Sequence, residues 1–257
     1  MNVATRTDGD VLIVSINRPE RRNAVDRDTA EELLGAFLRF GEDDSLRVAV
    51  LTGAGGTFCA GADLKAISQG EGNRVTETGP GPMGPTRLVL DKPVIAAVEG
   101  FAVAGGIELA LWCDLRVVAR DAVMGVFCRR WGVPLVDGGT VRLPRLIGAS
   151  RAADLILTGR GVGGDEALQI GLANRVSEPG SALSDAIELA KELASLPPTC
   201  MRSDLLSSKE QWDLSFIDAI RREYALGLAT INTGETRDGA TRFASGEGRH
   251  GAAAPFD

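Results

Sequence analysis

The sequence predicts an α/β fold, an α/β body followed by a helical C-terminal region, and three observations predict it. Short apolar runs that read as buried strands alternate with helical patterns through the earlier part of the 257 residues. The order strand, turn, helix, strand at residues 11–52 returns at 93–119, so stacked units of similar construction are expected rather than a sheet with long crossovers. Beyond GGTVRLPRLIG the patterns are helical. No long low-complexity linker divides the chain, so residues 1–195 form the body and 196–257 the helical region of a single functional unit.

Taken in order, VLIVSIN is an apolar run expected as a buried strand, and RPERRNAVD is a turn-rich connection. A helix is expected from Asp28, with Glu31 three residues on, because Ala30, Leu33, Leu34, Phe37 and Leu38 share one face. RVAVLT is a second strand, GAGGTF a glycine-rich turn and ADLKAIS a short helix. Residues 70–85, GEGNRVTETGPGPMGP, lack apolar periodicity and are expected to be a mobile loop. PVIAAVEG is again a strand, GGIELALWC a short buried helix and LRVVA another strand. SRAADLILTG, DEALQIG, SALSDAIELAKELAS and the stretch through WDLSFIDAIRREYALGLAT read as helices, and a Gly/Ala-rich tail closes the chain.

Composition narrows the chemistry. His250, in the tail, is the single histidine, so a histidine triad or a multi-histidine metal site has nothing to be built from. Cys59, Cys113, Cys128 and Cys200 stand far apart without CxxC spacing, which favours reduced thiols over a disulfide frame or zinc site. A net charge of -7 argues against nucleic acid as a partner, since that affinity comes from basic residues neutralising phosphates. No window is apolar for long enough to span a membrane, and the first residues do not read as a secretory signal, so a cytoplasmic location is expected. Arg18, Arg21 and Arg22 still supply a local basic cluster for a small anionic ligand.

Two stretches draw attention. In FCAGADLK, small residues crowd a position just before a helix, where a ligand can reach main-chain N–H groups; a plain strand-to-helix turn would look the same. AVAGGIELA repeats the device. Two such elements facing one another would stabilise an oxygen that gains negative charge, an oxyanion hole made of backbone. Glu108 follows the glycines; it reads either as a first-turn acid favoured by the helix dipole or as a buried carboxyl with a raised pKa. Ile107, Leu109, Ala110, Leu111 and Trp112 around it favour burial.

Across nearly the whole chain, INRPERRNAV, FCAGADLK, KPVIAAVEGFAVAGGIELALWCDLRV, GVPLVDGGTVRLPRLIG, LTGRGVGGDEALQIGLANRV and ETRDGATRF resemble, in matching order, segments of the crotonase superfamily, which includes the enoyl-CoA hydratases and isomerases. The resemblance implies a spiral of repeated ββα units and a C-terminal helical region that mediates trimerisation, often as a dimer of trimers. It also implies a coenzyme A thioester as ligand, with no cofactor beyond the coenzyme A of the substrate.

Carried over by position, the N–H groups of Ala62 and Gly105 would grip the thioester oxygen, so that charge spreads as an enolate. Ala24, Ala60, Asp63 and Leu64 lie on segments that pass along the coenzyme A moiety, and Arg22 either meets its phosphates or is a surface arginine. Glu108 matches the first of the two catalytic glutamates of the hydratases. Cys128, fourteen residues after Asp114, stands where the second is found, and reads as an inert buried thiol or as a thiol activated by Arg129 and Arg130. Asp137 is the candidate replacement acid, from a loop that in this superfamily reaches the site; it reads equally as the cap of the helix opening at GGTVRL. The expected activity is hydration of a 2-enoyl-CoA. The alternatives are an isomerase or other lyase working with one carboxylate, and an acyl-CoA-binding protein without turnover.

Overall fold

The computed structural model describes residues 1–247, so the tail with His250 lies outside the described residues. The chain forms β1 (Val3–Asp8), β2 (Val11–Ile16), α1 (Arg27–Glu42), β3 (Val48–Gly53), α2 (Leu64–Ser68), β4 (Val94–Val98), β5 (Phe101–Val103), α3 (Gly105–Trp112), β6 (Leu115–Ala119) and β7 (Val123–Gly125). It continues through α4 (Gly139–Ile147), α5 (Ala149–Thr158), β8 (Gly161–Gly163), α6 (Gly164–Gln169), β9 (Arg175–Ser177), α7 (Ala182–Ala194), α8 (Pro198–Glu210), α9 (Phe216–Thr233) and α10 (Glu235–Ser245).

One sheet has the order β1-β2-β3-β4-β6-β9, antiparallel at β1/β2 and parallel elsewhere; a second sheet runs β5-β7-β8. The central strands β3 and β4 of the six-stranded sheet are buried on both faces, which is why VAVLTG and VIAAV are continuous apolar runs rather than alternating ones. The stretch read as one strand from Pro93 turns at Gly100 and supplies both sheets, first β4 and then β5.

Helix α1 begins two residues earlier than expected: Asp26, not Asp28, is the cap, its side chain accepting the Thr29 N–H. The buried face is Ala30, Leu33, Ala36, Phe37 and Phe40, while Leu38 is exposed. Phe37 meets Trp112 of α3 edge to face, with ring centroids 4.8 Å apart, and the indole N–H donates to Leu88 O at 3.0 Å. The C-terminal end of α3 is held by Arg116, whose Nη1 donates to Cys113 O at 2.8 Å. Helix α3 is therefore fixed at its C-terminal end.

Residues 70–85 contain no regular helix or strand until the turn at Pro85–Arg87, but their second half is packed rather than loose. Residues 81–86 are buried, and Asn73 donates to Val25 O and Pro82 O. The stretch around WDLSF is broken: a single turn at Gln211–Asp213 separates α8 from α9, which Ser215 caps. No helix of the described residues is long and apolar enough to cross a membrane.

Candidate functional site

Two lengths of backbone converge beside α3. Residues 58–62 run along β5: Phe58 N–H donates to Glu99 O and Cys59 N–H to Phe101 O, both at 2.8 Å, and Val103 N–H returns to Cys59 O at 3.0 Å. On the other side, Ala60 N–H donates to Arg22 O, Val25 N–H to Gly61 O and Asp63 N–H to Val25 O. That pairing leaves the Ala62 N–H without a protein acceptor among the described residues. Gly105 opens α3, so its N–H precedes the helical ladder and is likewise unspent.

Gly61 makes the approach possible. Its φ is +97°, and a Cβ there would stand 2.7 Å from Ala104 Cβ and 2.9 Å from Gly105 N. Ala104, which turns the chain from β5 into α3, has φ 56° and ψ -126°, a conformation that costs a residue with a side chain. Ala62 and Gly105 both line one cavity of about 390 Å³.

Glu108 lines the same cavity from the first turn of α3 and is 2% exposed. Its Oε1 accepts the Asp137 N–H at 2.9 Å and the Gly139 N–H at 2.8 Å. Its Oε2 has no protein donor among the described residues. Burial pushes the carboxyl up to about 7, with the Asp137 charge adding to the rise and the Gly139 hydrogen bond opposing it. One oxygen is thus fixed, and the group is poised to gain or lose a proton near neutrality.

Cys128 sits on the single helical turn Phe127–Trp131, is buried, and also lines the cavity. Burial first, and then the neighbouring Glu108, push its thiol upward. Of the two readings, the activated thiol is disfavoured: the Arg129 charge opposes the rise without overcoming it while its guanidinium donates to Ile156 O, and Arg130 lies over the Phe127 ring and donates to Gly159 O. Cys128 is held as a neutral thiol.

Asp137 lines the cavity too, but does not cap α4. The cap position belongs to Gly138, with no side-chain hydrogen bond, because Asp137 Oδ1 is taken by the Met83 N–H at 2.9 Å and by the Thr86 hydroxyl. Burial raises its pKa against these hydrogen bonds and the charges of Arg87 and Arg142. Its Oδ2 has no protein partner among the described residues.

Apart from Asn73, the rest of the wall is apolar, with Ile67, Val75, Met83, Phe127, Trp131 and Val136. Ala60 and Leu64 belong to it, Leu64 being 44% exposed. Asp63 caps α2 and pairs with Arg18 at 3.2 Å, which leaves it on a neighbouring depression with Arg21 and Lys65 rather than in the cavity. Ala24 is buried, and Arg22 is exposed at the surface with φ 51°. Among the described residues, no group of three or more His, Cys, Asp or Glu side chains could hold a metal ion. The sequence reading missed Met83, Thr86 and Trp131; a threonine and a methionine inside a Gly/Pro-rich stretch were the available signal.

Residues 6–249 match the family model described as enoyl-CoA hydratase/isomerase. The chain is 36% identical over 244 residues to enoyl-CoA hydratase EchA19 of Mycobacterium tuberculosis, covering 92% of this chain and 91% of that protein. It is 41% identical over 193 residues to the carnitinyl-CoA dehydratase of Escherichia coli, 74% of this chain and 73% of that one. A crystal structure of enoyl-CoA hydratase EchA1 from Mycobacterium marinum superposes with a TM-score of 0.90 at 36% identity, over 95% of this chain and 96% of the other.

Proposed function

Because the chain belongs to the enoyl-CoA hydratase/isomerase family, we propose that it is a lyase of hydratase type, adding water reversibly to a 2-enoyl-CoA. The thioester oxygen lies between the N–H groups of Ala62 and Gly105. Those amides need no reorganisation as charge develops on that oxygen, since neither is spent on the protein.

Water stands at Glu108 Oε2. As its oxygen bonds to the β-carbon, its proton passes to Glu108, and the electron pair of the double bond moves toward the thioester as an enolate. The same carboxylic acid then delivers that proton to the α-carbon and is restored as a carboxylate. Asp137 Oδ2 offers the water a second acceptor in place of the glutamate that Cys128 replaces. The coenzyme A moiety passes over Leu64 and Ala60 toward Arg22, Ala24 and Asp63, and the reaction uses no other cofactor. The observation that supports this reading most is a buried carboxyl, one oxygen clamped and the other open, in the cavity that two unspent amides share.

Cys128 supports a second reading, movement of one proton between the α- and γ-carbons by Glu108 alone. Assembly as trimers, or as a dimer of trimers, through the C-terminal helices is also proposed, supported by the exposed apolar side chains Phe216, Ile217, Tyr224 and Ile231; sedimentation checks it. For the activity, loss of the conjugated enoyl absorbance is followed with 2-enoyl-CoA substrates, and a 3-enoyl-CoA tests the second reading. Turnover lost in Glu108→Gln with acyl-CoA binding retained supports the assignment. No turnover in the unmodified protein, with binding intact, would make it an acyl-CoA-binding protein instead.

A further inference from the structure

We propose that Arg142 is a positioning residue that fixes the orientation of Glu108, although it lies outside the lining of the reaction cavity. Its guanidinium folds back from the first turn of α4 over Gly138, donating from Nη1 to Asp137 O at 2.8 Å and from Nη2 to Thr86 O at 2.6 Å. A Cβ on Gly138 would stand 2.4 Å from Nη1, so that glycine leaves the space the fork occupies.

One planar group thereby ties the loop that carries Asp137 to the turn that carries Thr86. Asp137 is the residue whose N–H binds Glu108 Oε1, and Thr86 is the residue whose hydroxyl binds Asp137 Oδ1. The tie acts on the peptide next to the one that clamps Glu108, so losing it frees the clamp. Lysine offers one ammonium where two carbonyls must be spanned.

The charge has a separate consequence. Arg142 forms no ion pair with a carboxylate among the described residues and bonds only to neutral carbonyls. It is a half-buried positive charge beside two buried acids. The groups facing Glu108 are Asp137 from the loop before α4, Cys128 from the turn at 127–131 and Arg142 from α4, while Arg87 faces Asp137 from the turn at 85–87. Asp137 and Arg142 oppose one another, and Arg142 holds the Glu108 carboxyl down against burial.

This inference rests on Glu108 being the acid/base group. The experiment measures kcat and kcat/KM for hydration across the titration of Glu108 in the unmodified protein, Arg142→Lys, Arg142→Met and Glu108→Gln. In Arg142→Met kcat is expected to fall at least as far as in Arg142→Lys, and any movement of the acid limb is upward, since the ionised base forms at higher pH once the positive charge is gone. In Arg142→Lys the limb stays in place and kcat falls about tenfold, because charge is kept and the fork is lost. A limb that moves down in Arg142→Met, or an unchanged kcat in Arg142→Lys, overturns the proposal. If Arg142→Met does not fold or turn over, the kcat of Arg142→Lys decides. Turnover in Glu108→Gln would instead refute the assignment of Glu108 itself.

Discussion

Gly139 donates its N–H to Glu108 Oε1 at 2.8 Å, and a Cβ on Gly139 would lie 2.9 Å from that same oxygen. The hydrogen bond and the absence of a side chain therefore describe one contact. Gly139→Ala is expected to push the Glu108 carboxyl toward the cavity and lower kcat by about 100-fold, the scale on which small misplacements act. Circular dichroism should stay that of the unmodified protein, since α4 tolerates alanine.

The pKa of Glu108 gives a stability profile with a definite sign. The folded value of about 7 lies above the ordinary 4.5, so the carboxyl opposes folding least where both states are protonated. As pH rises from about 4.5 through about 7, the buried charge forms and about 3 kcal/mol is lost. Glu108→Gln should therefore be more stable than the unmodified protein above pH 7, with the difference vanishing toward acid in denaturant titrations. Hydration by the unmodified protein should fall as pH drops through the same range, because the base is lost.

Ala104 stores strain at the hinge between β5 and α3, with φ 56°. Ala104→Gly should relieve about 1 kcal/mol, the strain of such a residue less the extra entropy of glycine. A raised melting temperature with kcat nearly unchanged is the expected outcome. A lowered one would show that the methyl packs more than it strains.

Cys128 is neutral in this site, so Cys128→Ala is expected to keep kcat within about threefold, as befits a small buried hydrophobe. Steady-state hydration kinetics check this. A loss of a hundredfold or more would give the thiol a role in proton transfer.

How much of this was legible beforehand depends on the kind of signal each residue leaves. FCAGADLK alone is also what a plain strand-to-helix turn looks like, and it drew attention because AVAGGIELA repeats the same crowding of small residues before a helix. Glu108 was readable because an acid among Ile107, Leu109 and Leu111 is out of place. The three-residue strands β5, β7, β8 and β9 are too short to show a period. Leu38 looked internal until Asp26 was seen to start α1, with the core reached through Ala36 and Phe40 instead. Asp137 was placed between two roles, capping and catalysis. Its Oδ1 in fact serves Met83 and Thr86, partners more than fifty residues away that local pattern cannot reveal.

The central claim is that the amides of Ala62 and Gly105 together polarise a thioester carbonyl. Infrared difference spectra of an acyl-CoA carrying a carbon-13 label at that carbonyl, bound to the protein, test it most directly. The stretch is expected at lower frequency than in water, with a smaller shift in Gly61→Ala, where the added methyl would crowd Gly105 N at 2.9 Å and part the two donors. A bound carbonyl that absorbs at its solution frequency, in a complex shown to be saturated, would contradict it.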